Sequence, residues 1–146
     1  MTENNANLPD FKTWYRTLLN AVVQEMVRVE AISGENIEAK PSWAIPLRIL
    51  IGQIRVQGAQ EFIWVISGPD VSTDHIDGNL AASPRDAARH FAMKWQMDAE
   101  RLNTLVKQKA EVVNPEVDRE AFANTLIGYA ESLYDIVNND DFWDQT

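Results

Sequence analysis

Two short runs, Leu47 to Val56 and Glu61 to Ile66, set the tightest limit on what this chain can fold into. Both are rich in Ile, Leu, Val, Phe and Trp, and Gln57-Gly58-Ala59-Gln60 separates them, so they read as the strands of a β-hairpin. With Gly58-Ala59 at the turn centre, Arg55 pairs with Phe62, Gln53 with Trp64 and Ile51 with Ile66. Side chains alternate across a strand. One face therefore carries Leu47, Ile49, Ile51, Phe62, Trp64 and Ile66, and the other Leu50, Ile54, Val56, Ile63 and Val65. Both faces are apolar. Because a lone hairpin is marginal in water, this one needs cover on two sides, either from helices of the same chain or from a second copy in a homodimer.

Three helices are predicted around it. Asp10 reads as the N-cap of a helix from Phe11 to Ala31. Phe11, Tyr15, Leu18, Val22, Met26 and Val29 recur at spacings of three and four, and Trp14, Leu19 and Val23 widen that stripe, which predicts burial on more than one side. Ser33-Gly34 is its stop signal. Residues 35–42 form a connector with room for a short third strand. Ser83-Pro84-Arg85-Asp86 is the clearest helix start in the chain, with a capping hydroxyl, a proline at the first helical position and an acid at the third. Ala88, Phe91, Ala92, Trp95, Ala99, Leu102 and Val106 form the stripe that follows. Lys107 to Val113 reads either as a fraying helix end or as a short strand. Asn114-Pro115 then opens a third helix, with Phe122, Leu126, Tyr129, Leu133 and Ile136 on one side and Ile127, Ala130, Tyr134 and Val137 beside them.

The fold class is α+β, of order α-β-β-α-α, with a small antiparallel sheet packed against three helices. A chain of 146 residues suits one such domain over 10–146, after a disordered start at 1–9. No cysteine is present, which excludes disulfides, thiolate metal sites and cysteine nucleophiles and fits the cytoplasm. The first seven residues lack the basic start and apolar run of a signal peptide. No apolar run reaches the roughly 18 residues of a membrane span. The net charge of −9 is uneven: six acids and no base follow Arg119, so the last 27 residues carry −6. Such a surface repels phosphate backbones and anionic lipid, so neither nucleic acid nor membrane is an expected partner. Acids at Glu131, Asp135, Asp140 and Asp141 also crowd the end of the third helix, where the dipole favours cations.

The stretch from Phe62 to Leu102, strand then polar loop then capped helix, is where α+β proteins commonly hold ligands. Asp74, His75 and Asp77, with His90 from the helix, offer donors for a metal ion, but their spacing fits no metal motif, and Asp and Thr start turns unaided. No metal and no cofactor is expected. Ser67 lies in Ile-Ser-Gly-Pro rather than a nucleophile elbow, and no glycine-rich phosphate loop is present, so no catalytic residue is assigned. Arg85 and Arg89, one turn apart at a helix start, could clamp an anion or simply pair with nearby acids. Trp43, Trp64 and Trp95 could line a pocket or fill a core.

Several short pieces together resemble a known family. Pro41-Ser-Trp-Ala-Ile-Pro46, Trp64-Val-Ile-Ser-Gly68, Thr73-Asp74, Ser83-Pro-Arg-Asp-Ala87 with Phe91 and Trp95, Leu133-Tyr-Asp and Asp141-Phe-Trp143 are similar to the uncharacterised bacterial family domain of unknown function 4826. The resemblance covers the chain from about Pro41 onward and implies no activity. The family places an aromatic residue where this chain has His75, which weakens any role for that histidine. Ser67, Thr73, Asp74, Arg85 and Trp95 match the pattern and, with Arg89, are the candidate ligand-binding residues. The expected function is a small acidic interaction or ligand-binding module without catalysis, its partner a protein or a small anion. The alternative is an enzyme or anion sensor with its site at 67–89.

Overall fold

The computed structural model describes residues 11–33, 36–108 and 119–143, the side chains of 105–108 and 119 excepted. The expected disorder at 1–9, the Asp10 cap, Gly34 of the stop signal, the Asn114-Pro115 helix start, Asp144 and most of the ambiguous 107–113 segment lie outside these residues. A helix, a four-stranded antiparallel sheet and two further helices follow one another, which is an α+β fold. Two compact units divide the chain, Met1–Ala87 and Ala88–Thr146.

In the first unit, helix α1 (Phe11–Arg28) lies on the sheet β1 (Ile37–Ile45), β2 (Ile49–Val56), β3 (Ile63–Ser67) and β4 (Asp74–Ile76), in the order β1-β2-β3-β4. The hairpin register is as the sequence predicts, with Gln53 opposite Trp64 and Ile51 opposite Ile66. Its turn is not centred as expected. The Ala59 N–H donates to Val56 O at 2.9 Å, which puts Gln57-Gly58 at the centre, with Gly58 supplying φ 91 at the third position. Ile49, Leu50, Ile51, Ile54, Trp64, Val65 and Ile66 are all buried, so both faces are covered. Val22 and Met26 of α1 pack with Ile54 and Val65 on one of them.

Four departures from expectation have physical causes. The connector 35–42 is largely strand: β1 runs nine residues, with a bulge between Pro41 and Trp43. It is an edge strand whose middle, Ala39 to Ser42, is exposed, and Lys40, Pro41 and the bulge all obstruct pairing with another edge. Leu47 belongs to a turn rather than a strand. Pro46 and Leu47 are the central residues of a turn closed by the Arg48 N–H on Ile45 O at 2.9 Å, and Leu47 is exposed at φ 67, a left-handed conformation costing about 1–2 kcal/mol for a residue with a Cβ. Helix α1 stops before Ser33-Gly34. Ala31 N–H donates to Met26 O and Glu30 N–H to Val27 O, a Schellman motif with Glu30 at φ 62 in the position glycine usually takes. Nor does α1 bury a wide stripe: only Leu19, Val22 and Met26 are buried, while Phe11 and Val27 are exposed.

In the second unit, α2 (Pro84–Gln108, which begins at the end of the first) buries Ala88, Phe91, Ala92, Trp95 and Ala99. Helix α3 (Arg119–Val137) buries Ala123, Leu126, Ala130, Leu133, Ile136 and Val137. Trp95 joins them, its ring 6.0 Å from Phe91 and 6.2 Å edge-on from Tyr129. Phe122, expected in the stripe, is 55% exposed. At the end of α3 the Trp143 indole donates to Ile136 O at 2.8 Å, and Asn139 accepts from Asp141 N–H at 3.1 Å to open the turn Asp140–Phe142. A free helix carbonyl is thus met by an indole N–H rather than by a cation.

Candidate functional site

The junction named by the sequence begins where β3 ends. Gly68 takes φ 145, and an ideal Cβ there would collide with Arg48 O, 2.9 Å from Arg48 C and 3.1 Å from Ile49 Cα. The loop therefore leaves β3 flat against the start of β2. Arg48 Nε donates to Asp70 Oδ2 at 2.6 Å, which ties the two loops a second time. Both side chains are partly exposed, so the pair contributes at most about 1 kcal/mol.

Ser67, the one buried polar residue recorded among the described residues, has its hydroxyl 2.7 Å from that of Thr73. The chain then returns as β4, three residues that pair with β3 and set Asp74 opposite Ile66. Asp74 Oδ1 accepts from the next backbone N–H, that of His75, at 2.7 Å. Beyond β4, Trp64 Nε1 donates to Gly78 O at 3.2 Å and Ala81 O at 3.1 Å, which holds the turn Gly78–Leu80 against the sheet. Ser83 Oγ accepts from Asp86 N–H at 3.1 Å, so the cap read from sequence is formed. Each contact bonds the junction to itself.

The candidate residues therefore separate. Ser67 and Thr73 meet, and Asp74 follows them on β4. Arg85 is half-buried in the first turn of α2, and Arg89 is exposed one turn on; neither is free of partners. Trp95 is core, at 1% exposure, its ring packed near those of Phe91 and Tyr129. Among the described residues no group of three His, Asp or Glu side chains could hold a metal ion. No described helix is long and apolar enough to cross a membrane.

Sequence reasoning missed two features. One is a cation–aromatic stack at the open end of the sheet, where Lys40 Nζ and Arg55 Cζ lie 4.5 and 4.3 Å from the Phe62 ring centre. Arg55 also reaches Glu38 at 3.2 Å and Ala59 O at 3.0 Å. The other is an open apolar groove of about 320 Å³ along α1, lined by Thr13, Trp14, Thr17, Leu18 and Ala21. Phe11 braces its end, its ring 5.9 Å from that of Trp14 and 5.2 Å from that of Tyr15. The wide apolar stripe of this helix was its signal in the sequence.

The chain belongs to the family described as Domain of unknown function (DUF4826), whose model matches residues 10–143. No curated protein and no solved structure matches it.

Proposed function

We propose that this member of the family is a non-catalytic interaction module of the cytoplasm, and that its working surface is the α1 groove rather than the strand-loop-helix junction. The observation that carries this reading is a contrast between the two places. At the junction the buried hydroxyl of Ser67 is satisfied by Thr73, Asp74 turns on its own backbone and Asp70 is held by Arg48. Those groups are occupied in holding the loop against the strands. Along α1 the chain instead leaves Trp14 and Leu18 half-buried beside exposed Thr13, Thr17 and Ala21. Apolar surface left open in water costs free energy until a partner covers it. The groove is at the small end of ligand-pocket volumes and open along its length, which suits a ridge of protein side chains better than an enclosed metabolite. The absence of cysteine supports the compartment, and the charge of −9 argues against nucleic acid and anionic membrane as partners.

A thermal-shift screen against metals, nucleotides and carboxylate metabolites, run beside affinity capture with the full chain, tests this reading. The expected result is no stabilisation that depends on Asp74 or Arg85, and capture of a partner that survives Arg85→Ala but is lost in Ala21→Glu, which fills the groove with a charge. A metabolite shift abolished by Asp74→Ala or Arg85→Ala and kept in Ala21→Glu would move the function to the junction.

A further inference from the structure

We propose that His90, Met93 and Met97, on the outer side of α2, form a binding site for a soft monovalent metal ion of the Cu(I) type. The side of the helix comes first. With about 3.6 residues per turn, a step of three residues rotates by about 300° and a step of four by about 400°, so Met93 and Met97 both lie within about 60° of His90, on successive turns. Neighbours at these spacings have Cβ atoms about 5–6 Å apart. Helical side chains lean toward the N-terminus, which directs the Met93 sulfur toward His90 and the Met97 sulfur toward Met93.

Core packing does not account for these residues. Phe91, Trp95 and Ala99 fill the buried side of α2, while Met93 is 43% and Met97 52% exposed. Outward positions of a helix are ordinarily polar, as Arg89, Gln96, Glu100 and Arg101 are here, and two methionines one turn apart break that pattern. His90 is half-buried and has no hydrogen bond or ion pair to a described residue, so a ring nitrogen is available as a donor. The donor set selects the ion. Thioether sulfur is soft and polarizable and imidazole suits copper, whereas magnesium and calcium take oxygen ligands, and no carboxylate belongs to this set. The chain has no cysteine, so no thiolate competes for the ion. Methionine has three rotatable bonds, enough for both sulfurs to close on one ion beside His90. Lys94, one turn from His90, and Glu100, one turn beyond Met97, carry opposite charges, so the helix surface does not turn a monovalent cation away. The α1 groove plays no part in this site.

Titration of the isotope-labelled full chain with Ag(I), followed through the NMR signals of methionine methyls and histidine rings, is the test, repeated with Cu(I) under reducing, oxygen-free conditions. One ion per chain is expected, moving the signals of His90, Met93 and Met97 and leaving those of buried Met26 and of His75 in place. His90→Ala and Met93→Leu are each expected to weaken binding by about tenfold or more, and Met97→Leu by less. Leucine keeps the volume of methionine, so a variant that melts with wild type yet loses the ion separates ligation from folding. Zn(II) at the same concentration is expected to leave the methionine signals where they are. No saturation at millimolar Ag(I), binding that survives Met93→Leu/Met97→Leu unchanged, or methionine signals that Zn(II) moves as Ag(I) does would each overturn the proposal.

Discussion

Gly68→Ala is expected to lower stability by at least about 4 kcal/mol, near the upper limit for single substitutions. Two costs combine there. The backbone is at φ 145, where a residue with a Cβ is strained, and the added carbon would run into the carbonyl of Arg48. That obstacle cannot rotate away, because it is main chain beside Ile49, which pairs with Ile45 in the ladder of β1 and β2. A loss of this size lowers the melting temperature by about 10 °C or more in a chain of this length. Unfolding followed by circular dichroism measures it, and an unchanged transition would mean that the loop does not lie against β2.

Trp95→Ala is expected to cost about 3–5 kcal/mol, the range for deleting a large buried aromatic side chain. The indole is 1% exposed and touches rings on its own helix and on α3, so removal leaves a cavity between two helices. Trp95→Phe keeps a ring in the site and should lose about half as much. A residue that stacked on a ligand in an open pocket would behave otherwise, its alanine variant unfolding close to wild type. Urea denaturation of the three proteins separates the two roles.

These two positions show how far the sequence could be read. The capped start at Ser83-Pro84 and the hairpin register were legible because each follows from local chemistry: a hydroxyl beside a free N–H, and a two-residue alternation on both strands. β1 was harder to see, since Glu38, Lys40, Pro41 and Ser42 have the polar pattern of a loop, and only an edge strand tolerates it. β4 is three residues long, too short for any alternation. Phe11 and Phe122 were expected inside because apolar residues generally are, yet burial of apolar groups is a tendency that leaves many of them on the surface. At the candidate site, sequence found Ser67, Thr73 and Asp74 but not their use. The Arg48–Asp70 pair spans 22 residues, and the bond between Ser67 and Thr73 depends on how the loop folds back.

The central claim is that the junction is scaffold and the groove is free surface, and one unfolding experiment addresses both halves. Thr73→Val removes the hydroxyl opposite Ser67 and leaves that buried oxygen without its partner, an expected loss of about 1–3 kcal/mol. Ala21→Glu changes an exposed helical position and should stay within about 0.5 kcal/mol of wild type. Urea midpoints for wild type, Thr73→Val and Ala21→Glu are expected in that pattern, with only the junction variant displaced. The opposite pattern, a neutral Thr73→Val beside an Ala21→Glu that unfolds early, would make the groove part of the packed core and the junction the unoccupied site.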